Sequence, residues 1–438
     1  MDNNLRNVFL LGVGFLLLMT GTFTLFNIQK TIVDSIQKED SSFTENGYYS
    51  LALNNAFYAL FNWITPSVIH LIGSKYSMCL GVIFNIMFIL QFLIPKVWLL
   101  YTISALIGLG TSLLWIGEGN YITLNSTKDT ISRNSGIFTF LSNFSMIFGN
   151  ILIMFAFSGK EVINEATRTY VILSLAGVCS AGLIVFCLLS QPTQKKDTNE
   201  EDIKVEGPVE AFVSATKLFI TRKMLLLSFI FLYAGLEMGF FSGVYSSCVG
   251  FTKKFENRKQ LVGISGILIG VGEVFGGGVL SLFGQKLLKL GRSNLAILAC
   301  SIHTLCFALI FINLPNSSTF SDTDEEAVIE SSVAIAMFCA FLLGLGDSVF
   351  INVIYSLLGT VYSENSACAF AIFQFFQAIG IVINFVTAPV LGLYYQLAIL
   401  FVLGLTSTTC YIRVNLSYTK ANFEIDTSKK MSDCKESS

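Results

Sequence analysis

Charge is what this chain has least of. Asp, Glu, Lys and Arg make up 13% of its 438 residues, about half the share usual in a soluble domain. The net charge of −2 offers no basic face, which excludes nucleic acid as a partner. Two His and six Pro are present. The ten Cys sit mostly in apolar runs with no CxxC pair and no His beside them, so they read as small buried hydrophobes. No metal site is expected. There is no P-loop, HExxH or GxSxG, so no catalytic residue and no cofactor is predicted, and an enzyme is disfavoured.

Apolar length is what the chain has instead. Hydrophobic residues make up 53%, Phe alone numbers 40, and the mean hydropathy is +0.68. These values describe a protein that crosses a bilayer many times. With roughly 20 apolar residues needed per crossing, twelve helices are expected, at 7–27, 48–72, 77–94, 97–122, 135–157, 169–190, 223–247, 261–284, 293–314, 332–361, 364–388 and 392–414. The first run, Val8 to Phe26, lacks a small-residue cleavage site and reads as a retained helix. Residues 191–222, with KKDTNEEDIKVEGPVE, cannot bury a core and read as a linker, with a short amphipathic helix before span seven. The expected organisation is all-α, with an N-terminal six-helix half (1–190), the linker, a C-terminal half (223–414) and a tail (415–438).

The halves repeat one another. Gly108-Leu-Gly-Thr-Ser112 in the fourth span matches Gly344-Leu-Gly-Asp-Ser348 in the tenth. After a loop, Asn134-Ser135 matches Asn365-Ser366, and Phe144 and Gly149 match Phe375 and Gly380. The GxG pairs lie inside apolar spans with no preceding strand, so they are close-packing sites and not nucleotide loops.

Placing the N-terminus in the cytosol puts about two-thirds of the 27 Lys and Arg on that side, as the positive-inside bias favours. Both termini are therefore expected to be cytosolic, in a plasma or internal membrane. Every Lys and Arg is then assigned to a loop, none to a span. Of four Asn-x-Ser/Thr sequons, Asn143 falls in a span and Asn125 and Asn415 face the cytosol, leaving Asn316 as the candidate for glycosylation.

Four carboxylates fall inside spans: Glu118, Glu237, Glu273 and Asp347. Acids at membrane depth are costly, and they mark proton, cation or substrate sites. Glu118 shares a helical face with Thr111 and Trp115, and Glu273 one with Gly266, Gly270 and Gly277. Asp347 and Glu273 read as deep, whereas Glu118 and Glu237 read as near helix ends, within reach of interfacial water. Polar stripes join them: Asn54, Tyr58, Asn62 and Thr65 in span two; Thr139, Ser142, Asn143 and Asn150 in span five; Gln374, Gln377 and Asn384 in span eleven. Most such amides are packing glue. Spans three, six, nine and twelve carry no acid and read as outer scaffold. His303 in span nine reads as a satisfied core histidine.

Gly284-Gln-Lys-Leu-Leu-Lys-Leu-Gly-Arg292 resembles the G-x-x-x-D-R-x-G-R gating loop of the major facilitator superfamily. Gly284, Gly291 and Arg292 match. Leu288 replaces the acid, and Lys289 the first basic residue. The corresponding Gly73-Ser-Lys-Tyr-Ser77 is more degenerate. Gly47-Tyr-Tyr-Ser-Leu-Ala52, Gly108-Leu-Gly110, Trp115, Tyr121, Arg133-Asn-Ser-Gly-Ile-Phe138 and Phe148-Gly-Asn150 closely resemble the Unc-93-like family within that superfamily, and Ser158-Gly-Lys160 is similar to its domain-containing-eleven branch. Gln is usual in that family near position 118, where this chain has Glu. The resemblance implies a twelve-helix fold of two pseudo-symmetric halves. It leaves two functions open. One is a secondary transporter for a small solute, coupled to protons or a cation through the acids; the absence of Lys or Arg in the spans argues against an anionic solute. The other is a non-transporting subunit that regulates a two-pore potassium channel or escorts a membrane receptor.

Overall fold

The computed structural model describes residues 3–127, 130–190, 208–288, 291–362 and 366–436. Sixteen α-helices run in chain order among them: α1 (Asn3–Glu39), α2 (Tyr49–Phe61), α3 (Thr65–Ile72), α4 (Ser74–Leu90), α5 (Val97–Leu124), α6 (Ile131–Asn143), α7 (Ser145–Ala156), α8 (Glu165–Leu188), α9 (Pro208–Phe219), α10 (Arg222–Gly239), α11 (Ser246–Phe251), α12 (Arg258–Leu288), α13 (Arg292–Asn313), α14 (Val333–Val361), α15 (Ser366–Thr387) and α16 (Leu393–Glu436). Among the described residues, eleven stretches are long and apolar enough to cross a membrane. The expected second span is broken into α2 and α3, with Pro66 in the first turn of α3, where its missing N–H costs nothing. Two spans are continuous through an irregularity. One joins α6 and α7 at Phe144, and the other joins α10 and α11 through a π-helical turn, Phe240–Tyr245.

Several boundaries differ from the sequence reading. α1 runs to Glu39, so Lys30 and Lys38 belong to a helix and not to a loop. Arg168, Arg258 and Lys259 likewise lie in first turns of α8 and α12. Partners explain this. Arg168 pairs with Glu39 at 2.8 Å, and Arg258 and Lys259 pair with Asp322 at 2.5 and 3.3 Å. Within 191–222, α9 occupies Pro208–Phe219 and α10 begins at Arg222; residues 191–207 lie outside the described residues. The segment expected as a tail from 415 continues α16 without a break to Glu436.

The halves have matching cores. In the first, α1 packs on α6, α7 and α8, and α5 on α2 and α4; in the second, α10 packs on α15 and α16, and α14 on α12 and α13. Glycines set these approaches. A Cβ on Gly108 would strike the backbone oxygen of Asn54, and one on Gly344 the backbone of Ile269. The repeated GLG motif thus lets α5 approach α2, and α14 approach α12, at backbone distance, the means by which apolar helices associate where lipid removes the hydrophobic drive.

Candidate functional site

Where the two halves meet, α12 packs along α7 and α15 along α2. One face carries the starts of α1 and α13 and the ends of α5 and α8. It is tied by Asn7 to Asn125 at 2.8 Å, Arg6 to Ser190 at 3.1 Å and Asn415 to Ser293 at 2.8 Å. This is the terminal face. On the opposite face α1 reaches across to the π-helical turn, α11 and α12.

That opposite face is closed. Asp322, in the loop between α13 and α14, accepts from Lys38 of α1 at 3.0 Å and from Arg258 and Lys259 of α12. Burial would raise the Asp322 pKa, but Lys259, Lys38 and Arg258 overcome it and pull the carboxyl down to about 2. One layer deeper, Asn27 donates to Asn150 at 2.8 Å and to the Val262 carbonyl at 3.3 Å, and Tyr48 stacks on Phe385. Lys30, 4% exposed, lies over the rings of Tyr48 and Phe251 at 5.7 and 5.9 Å, a cation–π arrangement worth up to about 2 kcal/mol when desolvated.

Toward the terminal face the halves part. α5 and α14, the matching fourth and tenth spans, make at most grazing contact. Tyr355 of α14 packs edge-on against Phe370 and Phe373 of α15, yet it is 47% exposed. Asn352 and Gly359 on the same side of α14 are also exposed. A Cβ on Gly119, Gly136 or Gly359 would meet nothing within 4 Å. The gap between the halves is a cleft that opens on the terminal face.

The carboxylates lie at and behind its inner end. Asp347, Glu273 and Glu118 are half-buried. Glu237 is 1% exposed, its Oε1 is buried without a hydrogen-bond partner, and Asp347 and Glu273 lie in electrostatic reach of it. Glu237 is therefore not near water at a helix end. It sits mid-way along the continuous stretch Arg222–Phe251, one turn before the π-helical turn, a feature that often marks functional sites.

Sequence reasoning set His303 aside. It is buried and satisfied, by the Tyr233 hydroxyl 2.6 Å from Nδ1 and the Leu343 carbonyl 3.5 Å from Nε2, and that same Nε2 lies 3.4 Å from Glu237 Oε1. The expected ninth span, α13, is thus not mere scaffold. The signal was Gly346, whose Cβ would collide with the His303 ring, so this glycine is the notch that admits the imidazole.

The remaining candidates scatter. Tyr58 in α2 and Asn62 just past its end are half-buried, and both side-chain amide atoms of Asn62 are buried without a partner. Thr65 on the same stripe meets Ser112 at 2.6 Å. Gln377 reaches only the Met238 sulfur, at 3.8 Å, while Gln374 is half-buried on α15. Asn143 ends α6 beside Gly277 of α12. Of the loop motif, Gly284 lies in α12, Gly291 takes φ 86° to start α13, and Arg292 opens that helix; Lys289 lies outside the described residues. Asn316 is engaged by its neighbours, its Oδ1 accepting from the Tyr394 amide at 2.9 Å.

This architecture is that of the major facilitator transporters. A POT family transporter in complex with 5-aminolevulinic acid superposes with a TM-score of 0.67 at 12% identity, over 94% of this chain and 96% of that one. The nucleoside transporter NupG gives 0.66 at 11% identity, over 92% and 99%. Within that class, the family model for ion channel regulatory protein UNC-93 matches residues 39–412. The UNC93-like protein MFSD11 of Xenopus tropicalis is 37% identical over 96% of this chain and 98% of its own length. Protein unc-93 homolog A of Homo sapiens is 24% identical over 93% and 92%. The chain belongs to the UNC-93 family.

Proposed function

We propose that the protein is a secondary transporter that moves a small solute by alternating access, with both termini cytosolic and with Asp347 and Glu237 as its coupling pair. The observation that carries this reading is the set of buried and half-buried acids in the spans, Glu237, Asp347 and Glu273, between halves that are tied on one face and part on the other. A chain that only held a partner would have no use for such costly buried acids. Solute enters between α5 and α14. Asp347, the more exposed of the coupling pair, is the member that gains or loses a proton, while His303 lies beside Glu237 with its Nε2 3.4 Å from Oε1. Glu273 and Glu118 set the field of the cleft.

Reconstitution tests this. In proteoliposomes with an imposed pH gradient, uptake of a radiolabelled solute panel should respond to the gradient in the wild type. Asp347→Asn and Glu237→Gln should lose that response by at least tenfold. Gradient-insensitive uptake in the wild type would remove the coupling role. A second reading, a non-transporting subunit of an ion channel or receptor, draws on the family description, ion channel regulatory protein. It gains if no solute moves and a channel co-purifies in stoichiometric amount.

A further inference from the structure

The outer surface of the second half carries a groove that the proposed solute path does not use. It runs between α13 and α16, has a volume of about 670 Å³, and is lined among others by Cys300, Ser301, Thr304 and Ala308 of α13 and Thr408 and Ile412 of α16. Clefts of about 300–1,000 Å³ are of ligand size. We infer that this groove binds one anionic glycerophospholipid, with an acyl chain along the groove and the phosphate at Arg292 and Arg413. Lipid binding there requires no transport.

The first support is charge at one end. Ile297 and Ile412 are the lining residues nearest the terminal face. Arg413 directly follows Ile412, and Arg292 opens α13 five residues before Ile297. At this level Asn415 donates to Ser293 at 2.8 Å, which ties α16 to α13 and keeps both arginines at the same end of the groove. Arg413 is exposed, and Nη1 of Arg292 is buried with no hydrogen-bond partner. A guanidinium with an unused N–H is matched to a phosphate, which it can bind through two parallel hydrogen bonds. The second support is a polar atom at the right depth. Thr408 is 5% exposed, lines the groove, and has a hydroxyl with no partner. At 1.5 Å per residue it stands about 6–8 Å along α16 from Ile412 and Arg413. The ester carbonyls of a glycerophospholipid are set back from its phosphate by a comparable step, so the Thr408 hydroxyl can donate to one of them.

The rest of the groove suits hydrocarbon. The hydroxyls of Ser301 and Thr409 are spent on carbonyls of their own helices, Ile297 and Leu405, at 2.8 Å each. A sterol would fill this part but leave the arginines without a counter-charge. A soluble phosphate would meet the arginines but leave the groove empty. A zwitterionic lipid would bring its own cation to two others. Basic pockets between spans at the cytosolic leaflet are where anionic headgroups are held, and the proposed cytosolic termini put Arg292 and Arg413 at that leaflet.

Native mass spectrometry of the delipidated protein in detergent tests this. Phosphatidylglycerol and phosphatidylcholine with identical acyl chains are titrated separately. One phosphatidylglycerol per chain should bind first, at least tenfold more tightly than phosphatidylcholine. Combined Arg292→Gln and Arg413→Gln should bring the two lipids within about twofold, whereas the corresponding pair of Lys substitutions should keep the preference within threefold of wild type. Ala308→Phe, at an exposed position with the arginines intact, should weaken phosphatidylglycerol binding at least tenfold and leave the melting temperature unchanged. Equal binding of the two lipids, or several equivalent phosphatidylglycerols with no first site, overturns the inference. So does an undiminished preference in the double Gln variant. Displacement by glycerol 3-phosphate as effective as by phosphatidylglycerol would leave only an anion site, and tighter binding of cholesterol would leave only an apolar one; either overturns it. None of these outcomes bears on whether a solute is transported.

Discussion

At the scale of single residues, Gly346 and Asp322 make the sharpest commitments. A methyl group on Gly346 would occupy the space of the His303 ring, so Gly346→Ala should destabilise the protein by about 1–3 kcal/mol. His303→Ala in the same chain should restore part of the loss, measurable as a shift in melting temperature. Asp322 has its pKa depressed to about 2. A depressed carboxyl contributes stability at pH above its unfolded value near 3.9 and loses it as pH falls through the folded value. The Asp322 contacts should therefore persist at pH 5 and fail only between about pH 4 and 2, as seen in unfolding followed by circular dichroism. Asp347 and Glu273 were legible in the sequence because an acid in an apolar run announces itself. The depth of Glu237 was not, since the span containing it runs from Arg222 to Phe251 through a π-helical turn that composition does not reveal. The role of His303 depended on Tyr233 and Glu237, 70 and 66 positions away, and on the notch at Gly346.

At the scale of elements, α1 and α12 are pinned together on the closed face through one loop. Lys38 on α1 and Arg258 and Lys259 on α12 all converge on Asp322. Removing one partner of a largely buried ion pair costs about 3 kcal/mol by leaving the others uncompensated. Asp322→Asn should therefore shift the population toward opening of that face. A cysteine replacing Tyr48, buried here, should become reactive to a membrane-impermeant maleimide in the Asp322→Asn background and remain protected otherwise. The break between α2 and α3 was readable in advance from Pro66, whereas the extension of α1 to Glu39 was not. Gln29, Lys30, Asp34 and Lys38 look like a loop until their partners are known, and the partner of Lys38 lies 284 positions away. The GLG repeat was fully legible, because close helix packing requires small residues whatever the surrounding fold.

At the scale of the whole molecule, the two halves form a body closed around Asp322 and open around Tyr355. That is one of the two shapes alternating access requires. A regulatory subunit would hold this shape, and a transporter would leave it. The most direct measurement is therefore a pair of spin-label distances in liposomes, on a cysteine-depleted background. One pair joins Ser42 to Glu256 on the closed face, and the other joins Thr123 to Thr360 across the open one; all four positions are exposed. Alternating access predicts that Asp322→Asn, or a change of pH that titrates the Glu237–Asp347 pair, lengthens the first distance and shortens the second together. Distances that stay fixed under both changes, in a protein that remains folded, would contradict it and leave a rigid scaffold.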